Sequence, residues 1–141
     1  MADRAKMMAE LKRTVLPYLR SAGFKGSFPH FRRPQPDMVD LITFQFDQRG
    51  RGLVIELARC PISGTTTHWG EHIPAAKVRA WDIHPNFRSR LKKRPGGDTE
   101  SWFRFDVEPP EKVANDIFAK LSSNDVWDRI EIGRSSLKKA D

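Results

Sequence analysis

Apolar residues at Met7, Leu11, Val15, Tyr18 and Ala22 recur at steps of three and four, which predicts a helix over residues 3–22 with one buried stripe, widened by Leu19. Pro17 interrupts the stripe. It lacks the N–H that bonds one turn back, so a kink or a restart is expected there. Gly23 follows the last periodic residue as a left-handed C′ position, and Phe24 sits where a Schellman motif places its apolar contact. The period then falls to two. Residues 28–33 form a short segment containing Pro29 and read as an edge strand. After a turn at 33–37, residues 38–47 alternate, with Ile42, Phe44 and Phe46 on one face and Val39, Leu41, Thr43 and Gln45 on the other. A glycine-containing connection at 48–52 leads to a second long strand, 53–60, whose Leu53, Ile55 and Leu57 share a face. Two such strands on a short loop pair antiparallel.

Residues 61–85 carry Pro61, Gly64, Gly70, Pro74 and Pro85 and follow no regular period, apart from one or two helical turns expected at 75–81. Strand alternation returns at 87–91. A basic loop spans 92–97, and a last strand at 101–106 sets Phe103 and Phe105 opposite Trp102 and Arg104. Pro109, Pro110 and Glu111 open a helix with a Val113, Ile117, Leu121 stripe and Phe118 beside it. A break at 122–124 precedes a short second helix bearing Val126, Trp127 and Ile130. Together these elements predict one α+β domain over residues 1–132, followed by a polar tail at 133–141. Its antiparallel sheet has four to five strands, with the N-terminal and C-terminal helices packed on one face and the other face partly wet.

Composition changes this picture in three ways. The chain of 141 residues has one cysteine, Cys60, so no internal disulfide ties it to an oxidising compartment. No stretch approaches the roughly 20 apolar residues that span a bilayer, so a soluble, cytoplasmic protein with no membrane partner is expected. The net charge is +7 and unevenly placed: residues 1–94 hold 18 Lys/Arg against 8 Asp/Glu, and residues 95–141 hold 7 against 10. A basic front half attracts anionic partners, unless the acidic back half neutralises it within the fold.

Gly23-Phe-Lys, Phe31-Arg-Arg, the run Val39-Asp-Leu-Ile-Thr-Phe-Gln45, the strand from Leu53 to Leu57, Arg-x-Arg-Leu at 88–91, and Trp102-Phe103 ahead of an acidic helix occur in that order. In this the chain resembles a bacterial family of uncharacterised proteins, domain of unknown function 4304, from the first helix to Ile130. The resemblance implies the α+β fold already read and brings no activity, cofactor or catalytic residue. Phe46-Asp47 after the Phe-Gln pair and the insert at 61–85 depart from the family's pattern.

Four constellations bear on chemistry. His68-Trp-Gly-Glu-His72 matches the inverted zinc-peptidase pattern, in which two imidazoles and a glutamate share one helix face; Gly70 and Pro74 deny it a helix. Cys60, His68, His72 and His84 are ligand types that suit zinc, but their spacing is not that of a zinc motif. No elbow, phosphate loop or dinucleotide fingerprint is present, so no catalytic residue and no cofactor is assigned. The third constellation is basic. Arg88, Arg90 and Lys92 on one strand face, Trp102 and Arg104 on the next, and the loop cations Lys93 and Arg94, extended by Arg49 and Arg51, would form a nucleic-acid face if the two strands paired. The plainer reading is a solvated face whose arginines meet Glu56 and the acidic helix. The fourth is Trp69 and Trp81 in the irregular insert, as protein-contact anchors or as packing. Non-catalytic binding to a macromolecule, a protein first, is the expected function, and an immunity or accessory protein opposing a toxin is one version. Nucleic-acid binding is the alternative, with a metal-dependent hydrolase using His68, Glu71 and His72 behind it.

Overall fold

The computed structural model describes residues 3–67, 69–93, 101–123 and 125–133. Asp3 caps the first helix by accepting from the Lys6 N–H at 3.1 Å. The helix runs as α1 (Arg4–Glu10), a wide π turn (Leu11–Val15) and α2 (Leu16–Ser21). The Leu16 N–H reaches back five residues to the Leu11 carbonyl. Pro17 explains the wide turn. Its ring collides with the carbonyl four residues back and it donates nothing, so the chain opens by one residue ahead of it instead of breaking. The opening also brings residues spaced by four into line: Met7, Leu11, Val15 and Leu19 are all fully buried. Gly23 (φ +99°) ends the helix as expected, with the Phe24 N–H bonded to the Leu19 carbonyl and the Gly23 N–H to that of Arg20.

β1 (Lys25–Ser27), β2 (His30–Pro34), β3 (Met38–Phe46) and β4 (Gly52–Pro61) form an antiparallel sheet in chain order. Residues 28–33 are therefore no edge strand, because β1 pairs outside β2. Pro29 falls in the β1–β2 turn, where its missing donor costs the ladder nothing. Beyond β4, the expected strands at 87–91 and 101–106 shrink to β7 (Ser89–Arg90) and β8 (Phe103–Arg104), each paired with β4 and not with the other. Ile132 adds one parallel bridge to Arg59. Three short pieces thus cover a ten-residue edge, which limits pairing with other chains.

α3 (Pro110–Leu121) packs with α1 and the π turn on one sheet face. Val113, Ile117 and Leu121 meet Phe31, Ile42, Phe44, Leu53, Ile55, Leu57 and Phe103 there, and each fully buried side chain of this size contributes about 1.5–3 kcal/mol. In place of the expected second C-terminal helix, residues 125–130 form successive turns that bring Val126 and Trp127 onto this core. Gly133 still packs on the sheet, donating to the Arg59 carbonyl at 2.6 Å.

The opposite face is drier than expected. The excursion between β4 and β7 carries a small hairpin, β5 (Thr65–Thr66) and β6 (His72–Ile73), and two 3-10 turns at Ala80–Asp82 and Pro85–Phe87. The helical turns foreseen at 75–81 reduce to the first of these. Val78, Ala80 and Ile83 from this excursion bury Val39, Leu41, Ala58 and Cys60, forming a second core. Irregular spacing hid that packing, because the three contacts come from a segment with no period of its own.

Candidate functional site

Arg88, Arg90 and Arg104 lie on this second face. Register puts Arg90 opposite Glu56 and Arg104 opposite Gly52, so both point to the side bearing Thr43 and Val54. Arg88 approaches Glu56 at 3.6 Å and donates to the Trp81 carbonyl at 3.4 Å. Arg104 makes two bonds to Asp106, at 2.8 and 2.6 Å, which hold that carboxyl below the usual range. Lys93 pairs with Glu108, whose carboxyl is lowered by Lys93 and then by Lys112. The Arg90 guanidinium lies 5.9 Å from the centre of the Trp102 indole. Lys92 is exposed, and Arg94 lies outside the described residues. Arg51 and Arg104 line a shallow cleft with Trp102, and Arg49 a second one against the same indole. The strand pairing that would have merged Arg88, Arg90 and Arg104 into one patch does not form, since β7 and β8 occupy separate stretches of β4.

The candidate metal and hydrolase groups separate. Cys60 is fully buried in the second core, where burial pushes its thiol up to about 11. A thiol in that state is neither nucleophile nor ready ligand at neutral pH. His72 sits in β6 with Nδ1 3.2 Å from the Thr66 hydroxyl and Nε2 2.9 Å from the Ser63 carbonyl oxygen. His84 Nδ1 accepts from the Asn86 N–H at 3.1 Å. His68 lies outside the described residues. Glu71 and His72 stand on a hairpin, so the helix that the inverted zinc pattern requires is missing. Among the described residues no three His, Cys, Asp or Glu side chains converge as a metal site would need.

Trp69 stands at the tip of the β5–β6 hairpin, 66% exposed. Gly70 (φ +95°) turns the chain beside it, in a conformation that side-chain-bearing residues resist. The tip is braced by the Thr67 N–H and hydroxyl donating to the Glu71 carbonyl, by the Glu71 N–H donating back to the Thr67 hydroxyl, and by the Trp69 indole N–H on the Glu71 carboxylate at 3.2 Å. Ile62, at the base of the same excursion, is 57% exposed. Trp81 has a different role: its ring meets His30 edge-on at 4.6 Å and carries the Arg79 guanidinium at 5.2 Å, so it seals the excursion to the sheet.

The family model described as Domain of unknown function (DUF4304) matches residues 15–130, from the π turn of the first helix through the sheet, the excursion and α3 to the Trp127 turn. The chain belongs to the DUF4304 family. No curated protein and no solved structure matches it. The DUF4304 match assigns no chemistry, so a site in this domain has to be argued from its own side chains. Sequence reasoning passed over two DUF4304-region clusters: the buried Asp40 with its arginines, and a basic cleft beside β2. Both depend on strand register, and a basic residue in each segment was the only signal available.

Proposed function

We propose that this domain binds another protein without catalysis, using the 61–87 excursion as its contact surface and Trp69 as the anchor. The carrying observation is an exposed indole on a hairpin tip whose backbone is held by four hydrogen bonds, the Gly70 N–H to the Thr67 carbonyl among them. A large, rigid aromatic offers contact area at little cost in conformational entropy, which suits a partner with an apolar pocket. Ile62 extends the apolar surface toward the base of the excursion. The nucleic-acid reading has less to support it, because Arg88, Lys93 and Arg104 already face carboxylates.

A photo-crosslinking amino acid placed at Trp69, with the exposed Phe118 of α3 as the control position, tests this in the protein's native cell. A discrete protein adduct from position 69 that is missing from position 118 is expected. Equal adducts from both positions, or none from 69, would sink the proposal. An adduct removed by nuclease would move the function to nucleic acid.

A further inference from the structure

We propose that the cleft between the β1–β2 turn and residues 76–79 is an oxyanion site, taking the phosphoryl or carboxylate group of a small ligand. The cleft has a volume of about 360 Å³ and is lined by Arg32, Lys77, Arg79, His30 and residues 26–29, with no Asp or Glu in its wall. That space admits a phosphorylated small molecule, and three cations from two separate segments converge on it.

Arg32 is the deciding residue. It lies on the second sheet face with its side chain half-buried; Nη2 donates to the Val78 carbonyl at 3.2 Å, and Nε is enclosed with no hydrogen-bond partner. It makes no ion pair among the described residues. Its cross-strand neighbour is Lys25, directly opposite in register, so two like charges share one face. Such a pair is destabilising, and an anion seated in the cleft beside Arg32 would offset the repulsion. The next residue shows the contrast: Arg33, on the other face, meets Asp40 at 2.8 Å.

The remaining groups raise the potential further. Lys77 is exposed and makes no ion pair among the described residues. The Arg79 backbone N–H donates to Asp82 at 2.8 Å, while its guanidinium reaches the same carboxylate only at 3.3 and 3.4 Å, which leaves side-chain donors to turn toward an incoming anion. His30 reports the field: desolvation first, then Arg79, and also Arg32, lower its pKa against the opposing pull of Asp82. Two guanidiniums crowding an imidazole mark a place where negative charge is stabilised. Lys77 and Arg79 belong to the same 61–87 excursion, but neither Trp69 nor Ile62 lines the cleft, so anion binding does not require the Trp69 anchor.

Titration of the isotopically labelled protein with sodium phosphate, and separately with sodium acetate, each against sodium chloride at matched ionic strength, tests the site by amide and imidazole NMR shifts. Saturating shifts confined to Gly26, Ser27, His30, Lys77 and Arg79 are expected with an oxyanion and not with chloride. Stronger binding of phosphate assigns a phosphoryl group; equal or stronger binding of acetate assigns a carboxylate. The exposed pair K77Q/R79Q should weaken binding at least about fivefold while leaving the β3 and β4 resonances in place. Shifts that never saturate, that spread over surface lysines elsewhere, or that persist unchanged in K77Q/R79Q would overturn the assignment.

Discussion

Asp40 is a fully buried carboxylate near the start of β3. It survives there because Arg33 and Arg59, its register neighbours on β2 and β4, reach it at 2.8 and 2.7 Å, and Gln35 donates to it at 2.9 Å. Both guanidiniums lie against Trp127, at 5.6 and 5.3 Å, and they bind the Ala22 and Ile130 carbonyls. One acid therefore ties the end of the first helix, three strands and the C-terminal turns together. Replacing Asp40 with Ala leaves two partly buried cations facing each other and should cost about 3 kcal/mol, read as a fall in the urea midpoint with an unchanged slope. A loss below that of an ordinary surface change would show the cluster to be ornamental. The alternation of β3 places residue 40 on the face of Ile42 and Phe44. It could not show which arginines stand opposite, because register follows from the whole sheet.

At the scale of elements, the long periodic stretches were legible and the short ones were not. The N-terminal helix, the β3–β4 hairpin and α3 are stamped by apolar spacing over ten or more residues. β7 and β8 are two residues long, and β4's edge decides their extent more than their own alternation does. The turns at 125–130 likewise carry helix-like spacing but serve to seat Trp127 on Phe24, with the rings stacked at 6.0 Å. Gly23 is the element-level test. An added Cβ would meet the Arg33 side chain at 3.4 Å, an ordinary contact, so the penalty is one of backbone conformation. Gly23→Ala should cost about 1 kcal/mol in the same denaturation assay, and a neutral result would mean the Schellman end is not needed.

For the whole molecule, β3 and β4 serve two cores at once, one under the helices and one under the 61–87 excursion. Hydrogen exchange should therefore find the slowest amides in the centres of β3 and β4, exchanging only through global opening, and the fastest among ordered strands in β5 and β6. Slow exchange in the small hairpin would contradict that hierarchy. From the sequence alone came the α+β class, the antiparallel pairing of the two long strands, the helix end at Gly23 and the placing of both terminal helices on one face. The class, the strand pairing and the helix end depend on local period and local turn chemistry, which one stretch of chain carries by itself; the shared helix face follows from the general need of two apolar helix stripes to cover a sheet. The tertiary structure decided the rest: the second core, the carboxylate partners of the basic residues, the burial of Cys60 and the convergence of Arg32, Lys77 and Arg79. Those are meetings between segments far apart in the chain, and only packing determines which side chains end up facing each other and which are left for a ligand.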